Sequence, residues 1–422
     1  MISFDSGSLA KGASDAAGAV SATGVAGATG AVGMAGVDST AGGTQGAADA
    51  ADVVNVAGTQ SAANAAGVAG AAGTASTKSV PESVGIKRHS ITSLQALMVA
   101  HGEPSYRADQ LIEWMYGRSA SSYDEMSNLP QDLRAALSVS QPLYRLQVLD
   151  RQISSDGTRK YLLELVDGAR IEMVAIPDRS RLTVCFSTQV GCSMSCTFCA
   201  TGQLGLTRQL AAGEIVDQLT IASADFGQRV TNAVAMGEGE PFANYSATLD
   251  ALRLINHPKA LNIGARHITI STAGLVSGIM AFAAEPEQFR LAVSLHSARQ
   301  ATRNTLMPGL TANNLNALQH TLLAYNQAVG RRISLEYALI DGVNDTEIEI
   351  DDLITFCREL NCHVNLIPLN QVGADPDFFV PTSIGKARAI RAQLQSAGIE
   401  ASIRRSRGAD ISAACGQLIA KT

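Results

Sequence analysis

Six short apolar runs, separated by stretches whose hydrophobic residues recur at helical period, leave few folds open to this 422-residue chain. The runs cover 182–187, 233–236, 267–271, 290–294, 333–338 and 364–368, and the helical stretches include 211–226, 244–256, 313–328 and 345–360. Strands that alternate with helices are joined by crossovers, so they pair in parallel and are covered by helices, an α/β arrangement. A partial barrel and a doubly wound sheet both satisfy this pattern, and periodicity does not separate them. In either fold the loops at the carboxyl ends of the strands converge, so polar residues there are the candidates for chemistry.

The loop after the first run carries the strongest chemical signal, the string GCSMSCTFCATG with Cys192, Cys196 and Cys199. A closed structural zinc site wants a fourth thiolate or imidazole nearby, and the nearest histidine in sequence is His257. Three soft thiolates at C-x3-C-x2-C spacing suit an iron-sulfur cube and leave one iron without a protein ligand.

Other strand ends add polar groups. The second run is followed by MGEGEPFANY, in which Gly237 and Gly239 permit close backbone approach to a ligand and Glu240 can accept from an ammonium group. Alone, a Gly-Glu-Pro string is more often an ordinary turn. Its place behind a strand, in a chain that already has the cysteine loop, favours a binding role. Ser271 ends the third run, Ser294, Leu295 and His296 the fourth, and Asn370 follows the sixth.

The rest of the chain divides by composition. Residues 1–78 hold five Asp, no Arg, and only Lys11 and Lys78 as bases, in Ala- and Gly-rich strings without large side chains to bury. Such a segment cannot offset its ordering entropy, so 1–85 is expected to be a disordered extension. Helical spacing over 86–145 predicts a small helical domain, and alternating runs around Asp156-Gly157 and Asp167-Gly168 predict a hairpin connector over 146–180. The α/β part then spans 181–400, and 401–422 forms a C-terminal segment. Seven cysteines with no secretory signal point to a reducing cytoplasm, and no apolar run approaches a membrane span. With a net charge of -6, any nucleic-acid surface has to be local. Arg404, Arg405 and Arg407, Arg331 with Arg332, and Arg179 with Arg181 are the basic groups to consider.

The cysteine loop resembles the signature of the radical S-adenosylmethionine superfamily. Together with GEPFANY, ITISTAG, LAVSLH, EYALIDGVND, VNLIPLN and IRRSRGADISAACGQL, the chain is similar from about residue 93 onward to the adenine-C2 RNA methyltransferases of the RlmN/Cfr type. The resemblance implies a six-stranded partial (β/α)6 barrel with one 4Fe-4S cluster on Cys192, Cys196 and Cys199. It implies two molecules of S-adenosylmethionine per turnover, bound by Gly239, Glu240, Ser271, Ser294, Leu295, His296 and Asn370. It further implies that Cys415 accepts a methyl group, Cys185 opens the protein-RNA crosslink, and Glu172 takes a proton, with a disulfide bond also expected. The implied substrates are adenines of 23S ribosomal RNA and of tRNA near the anticodon, and the implied partner is an electron donor such as flavodoxin acting on a monomer. Another radical enzyme on this scaffold, methylating C8 for example, and a non-catalytic RNA-binding relative are the alternatives. One departure stands out: Glu238 lies where the family usually shows Met, beside the cofactor string, where its carboxylate either disturbs the ammonium contact or faces away.

Overall fold

Ten strands join into one mixed sheet in the computed structural model, which describes residues 80–370 and 379–419. In chain order the strands are β1 (Gln147–Ile153), β2 (Arg159–Glu164), β3 (Arg170–Asp178), β4 (Arg181–Cys185), β5 (Gln189–Gly191), β6 (Leu206–Gln209), β7 (Asn232–Ala235), β8 (Ile268–Thr272), β9 (Arg290–Ser294), β10 (Ile333–Leu339), β11 (Cys362–Pro368) and β12 (Glu400–Ile403). The sheet order is β1-β2-β3-β4-β7-β8-β9-β10-β11-β12, while β5 and β6 form a separate antiparallel pair. From β4 to β12 every pairing is parallel, and each strand lies beside its predecessor in the chain. A doubly wound sheet reverses its strand order at a switch point; this one does not.

All six expected strands are present, but the sheet is larger than six. A seventh parallel strand, β12, was hidden because EASI is too short to show a period. The hairpin connector does not stand apart: β1 to β4 pair antiparallel in sequence and extend the same sheet. Turns at Gly157 and Gly168, both at positive φ, reverse the chain there. The α/β unit is covered by helices Ala212–Phe226, Tyr245–Asn256, Leu315–Val329 and Glu347–Cys357, close to the expected stretches, and also by Val276–Ala283, Gln300–Leu306 and Ile384–Ser396, which had not been expected.

Residues 1–79 of the expected extension lie outside the described residues. Order begins before residue 86, since the 3-10 turn Glu82–Arg88 buries Val84 and Ile86. Helices Ile91–Ala100, Arg107–Ile112 and Gln131–Ser140 follow and share the main hydrophobic core with the sheet. Lys87 fixes this contact by forming a buried ion pair with Asp217 on helix Ala212–Phe226, its ammonium 4.6 Å from the centre of the Tyr116 ring. All seven cysteines are free thiols, so the expected disulfide is not formed. Among the described residues no helix is long and apolar enough to cross a membrane.

Candidate active site

The carboxyl ends of the parallel strands open into a cavity. Cys192, Cys196 and Cys199 form one wall of it. Their loop is tied down at several points: Thr197 donates from its backbone to the Leu306 carbonyl at 2.9 Å, Gly309 donates to the Met194 carbonyl at 3.1 Å, and Cys192 donates to the Gly205 carbonyl at 2.9 Å. Gly202 is required where the loop folds back, since a Cβ there would lie 2.8 Å from both the backbone nitrogen and oxygen of Cys196. Backbone N–H groups of Gly202 and Thr201 point to the Cys199 sulfur, and Met194 N–H points to that of Cys192. Burial pushes the Cys192 thiol up to about 12 and raises those of Cys196 and Cys199. Loading a metal must therefore displace protons. Among the described residues no three His, Cys, Asp or Glu side chains are arranged to hold one metal ion. Three thiols spread along one cavity wall, with N–H donors to sulfur and no fourth protein ligand beside them, fit a polynuclear iron-sulfur cluster.

The opposite walls come from the strand ends. Gly239, at φ 102°, passes so close to Gln189 that a Cβ would lie 2.6 Å from the Gln189 Cβ. That passage delivers the buried Glu240 carboxylate to the cavity, where it accepts from Phe242 N–H (2.9 Å), Thr272 Oγ1 (2.7 Å) and Ala273 N–H (2.6 Å). Burial raises its pKa against those three donors. Ser271 and Ser294 line the same cavity. His296, at φ 57°, meets the Phe198 ring in a T-shaped contact with the centroids 4.8 Å apart. Its Nδ1 accepts from Ala338 N–H at 2.9 Å, and burial lowers its pKa to about 3, so the ring is neutral with its hydrogen on Nε2. Leu295 packs into the main core and does not line the cavity.

Glu238 does not line the cavity. Its carboxylate accepts from the backbone N–H groups of Glu172 (2.8 Å) and Gly191 (3.4 Å). The unusual acid thus stitches β3 to β5.

The C-terminal segment closes the site. Gly416 and Leu418 offer carbonyls to Ala200 N–H (2.8 Å) and Thr201 Oγ1 (2.7 Å), directly behind the cysteine loop. Asn370 Nδ2 donates to the Cys415 carbonyl at 3.1 Å. Cys415 lies in a wall shared with a second, smaller cavity, on which Cys185 opens. Burial and the neighbouring Cys415 push the Cys185 thiol up to about 12. Arg404 borders both cavities; Cys415 holds its guanidinium above the ordinary value, with Glu336 and Cys185 adding to this against the effect of burial.

Glu172 lies outside both cavities. Its carboxylate pairs with Lys160 at 3.1 Å and accepts from Ile419 N–H at 2.7 Å, and burial raises its pKa. The expected basic groups also divide. Arg404 is turned inward, whereas exposed Arg405 and Arg407 border the second cavity and exposed Arg179 and Arg181 sit at the β3–β4 turn. Arg331 and Arg332 precede β10, at the opposite end of the strands from the cavity. Glu336 was missed. It lines the cavity in register with Ser294 on β9 and accepts from Asn365 Nδ2 at 2.8 Å. An acid inside the apolar run ISLEYAL was the available signal.

Comparison with known proteins agrees with this geometry. Residues 86–141 match the ribosomal RNA large subunit methyltransferase N-terminal domain, and 186–354 match the radical SAM superfamily. The chain is 44% identical over 332 residues to a Staphylococcus epidermidis protein named "Probable dual-specificity RNA methyltransferase RlmN", covering 78% of this chain and 90% of that one. A protein of the same name from Gemmatimonas aurantiaca is 46% identical over 325 residues, covering 76% and 88%. The crystal structure of a radical SAM methyltransferase from Sphaerobacter thermophilus matches with TM-score 0.75 and 43% identity, covering 80% of this chain and all of that one.

Proposed function

The chain belongs to the RlmN family of radical SAM RNA methyltransferases, and from that premise we propose that it methylates C2 of adenine in 23S ribosomal RNA and tRNA through a methylated Cys415. The observation that carries this reading is the position of Cys415 between two cavities, one walled by the three cluster thiols and one by Cys185. C2 of adenine is electrophilic and its C–H a very weak acid, so a carbon radical suits the position where ordinary polar methyl transfer does not. When bound, the cluster and S-adenosylmethionine supply a methyl group and a 5'-deoxyadenosyl radical.

The protein's own residues divide the remaining work. Cys192, Cys196 and Cys199 would hold the cluster at the carboxyl ends of the parallel strands, of which β4, β7, β8, β9, β10 and β11 make up the six-stranded partial barrel. Glu240 would accept from the ammonium group of S-adenosylmethionine, and Gly239, Ser271, Ser294, His296, Asn370 and the backbone at Leu295 would shape the rest of its seat. Two molecules are consumed per turnover. Arg404, which lines both cavities with Cys415, supplies positive charge to the site in which the Cys415 sulfur would take up the methyl group. Cys185 opens the crosslink between protein and RNA. Glu172 takes the proton from C2, for which Ile419 N–H has to leave its carboxylate; burial already favours the protonated form.

The RNA target is a flipped adenine, because C2 lies on the minor-groove edge of a duplex. Arg405, Arg407, Arg179 and Arg181 hold phosphates around the second cavity, and the helical domain over 86–145 contacts the RNA body. A cytoplasmic monomer reduced by a flavodoxin-type donor completes the reading. The test is mass mapping of methyladenosines in RNA from cells with the wild-type protein or with Cys415→Ala. Loss of 2-methyladenosine in the variant, with 5'-deoxyadenosine still produced by the purified protein, is expected. Continued C2 methylation by the variant overturns the mechanism, and 8-methyladenosine in the wild type overturns the regiochemistry.

A further inference from the structure

Two guanidinium groups are buried to 1% or less in this protein, and the contrast between them is informative. Arg208 is neutralised twice over, by Asp167 at 2.9 Å and Glu214 at 2.9 Å. Arg303, on helix Gln300–Leu306, is 1% exposed and among the described residues forms no ion pair. Its Nη2 donates to the carbonyls of Ala273 at 2.5 Å and Ser294 at 3.3 Å, and its Nε is buried without an acceptor. A buried cation held only by carbonyl dipoles is expensive unless a negative charge shares its surroundings.

The surroundings supply the place for one. Helix Gln300–Leu306 ends on the cysteine loop, where Leu306 and Met194 carry the hydrogen bonds described above. Ala273 links Arg303 to the cavity: its carbonyl accepts from Arg303 and its N–H donates to Glu240. Burial lowers the proton affinity of Arg303, while Cys196 acts in the opposite direction. A cube of charge plus two on three thiolates carries one net negative charge, and two once reduced.

Resting on the cluster assignment above, we propose that Arg303 is the internal counter-cation of the site, a positioning residue whose charge offsets that of the cluster held by Cys192, Cys196 and Cys199 and eases its one-electron reduction. Because the added electron increases the negative charge facing Arg303, removing the cation must disfavour the reduced state. Holding the ends of β8 and β9 is a separate, structural contribution, and side chains of different charge separate the two.

The experiment compares wild type, Arg303→Lys and Arg303→Gln as full chains, reconstituted anaerobically, with iron and sulfide counted and the midpoint potential measured by EPR-monitored titration without S-adenosylmethionine. Arg303→Lys keeps a cation and stays near the wild-type potential. Arg303→Gln shifts the reduction equilibrium about tenfold or more toward the oxidised form, a potential lower by about 59 mV for one electron. Failure of Arg303→Gln to assemble a cluster that Arg303→Lys does assemble also supports the proposal. Equal potentials in all three proteins overturn it, as do equal shifts in the two variants or loss of the cluster from both, which assign Arg303 a purely structural role. A wild-type protein that assembles no cluster refutes the underlying assignment instead, before any variant is compared.

Discussion

Replacing Lys87 by Met should detach the N-terminal helices from the α/β unit, and the structure sets the size of the effect. The Lys87 and Asp217 side chains are 3% and 6% exposed, so the variant leaves a carboxylate inside the protein without its partner. Breaking a buried pair in this way costs about 3–5 kcal/mol. Loss of the ammonium over the Tyr116 ring adds about 0.5–1 kcal/mol, partly recovered by packing of the Met side chain. Lys87→Met should therefore lose about 3–6 kcal/mol. The double variant Lys87→Met, Asp217→Leu has no buried charge left at this position and should return to within about 1 kcal/mol of wild type, far short of the sum of the two single losses. The assay is urea unfolding of the metal-free chain followed by fluorescence. The single tryptophan of the protein, Trp114, lies in the N-terminal helical region and reports on that part directly. If the double variant is as unstable as the sum of the two single variants, the pair is not coupled and the reasoning fails.

Two further outcomes follow from buried groups near the site. Glu238→Met, which restores the residue usual in the family, should destabilise the protein by about 1–3 kcal/mol because the Glu172 N–H loses its acceptor; thermal unfolding measures this, and cleavage of S-adenosylmethionine by the loaded protein should persist, whereas a stability gain would show the stitching role to be wrong. Cys185 should resist alkylation at neutral pH, because a thiol pushed up to about 12 is only about one part in ten thousand thiolate at pH 8. Labelling of Cys185 by iodoacetamide, read by mass spectrometry, should rise about tenfold per pH unit through pH 10 without a plateau, and a plateau near pH 8.5 would contradict the burial argument.

Much of the fold was legible because its signals are local. Parallel strands buried on both faces read as short apolar runs, and the helices between them keep the period of a single amphipathic face. Two of the three helices that escaped notice, Val276–Ala283 and Gln300–Leu306, are short, and the first is apolar over most of its length. β12 has four residues and is recognisable as a strand only because β11 pairs with it.

The sequence by itself determined the spacing of the three cysteines and the serial arrangement of strands, since both depend on residues close together in the chain. It could name Glu238, Glu172, Arg404 and Arg303 as charged, but not say what each charge faces. Only the tertiary structure turned Glu238 toward the backbone of β3 and β5 and tied Glu172 to Lys160 and Ile419. It alone set Arg404 beside the two cavities that Cys415 also lines and buried Arg303 without a carboxylate. The physical reason is that a charge is governed by what surrounds it within a few ångströms. Here those neighbours come from segments as far apart as Thr201 and Leu418, brought together by a core whose packing no local pattern encodes.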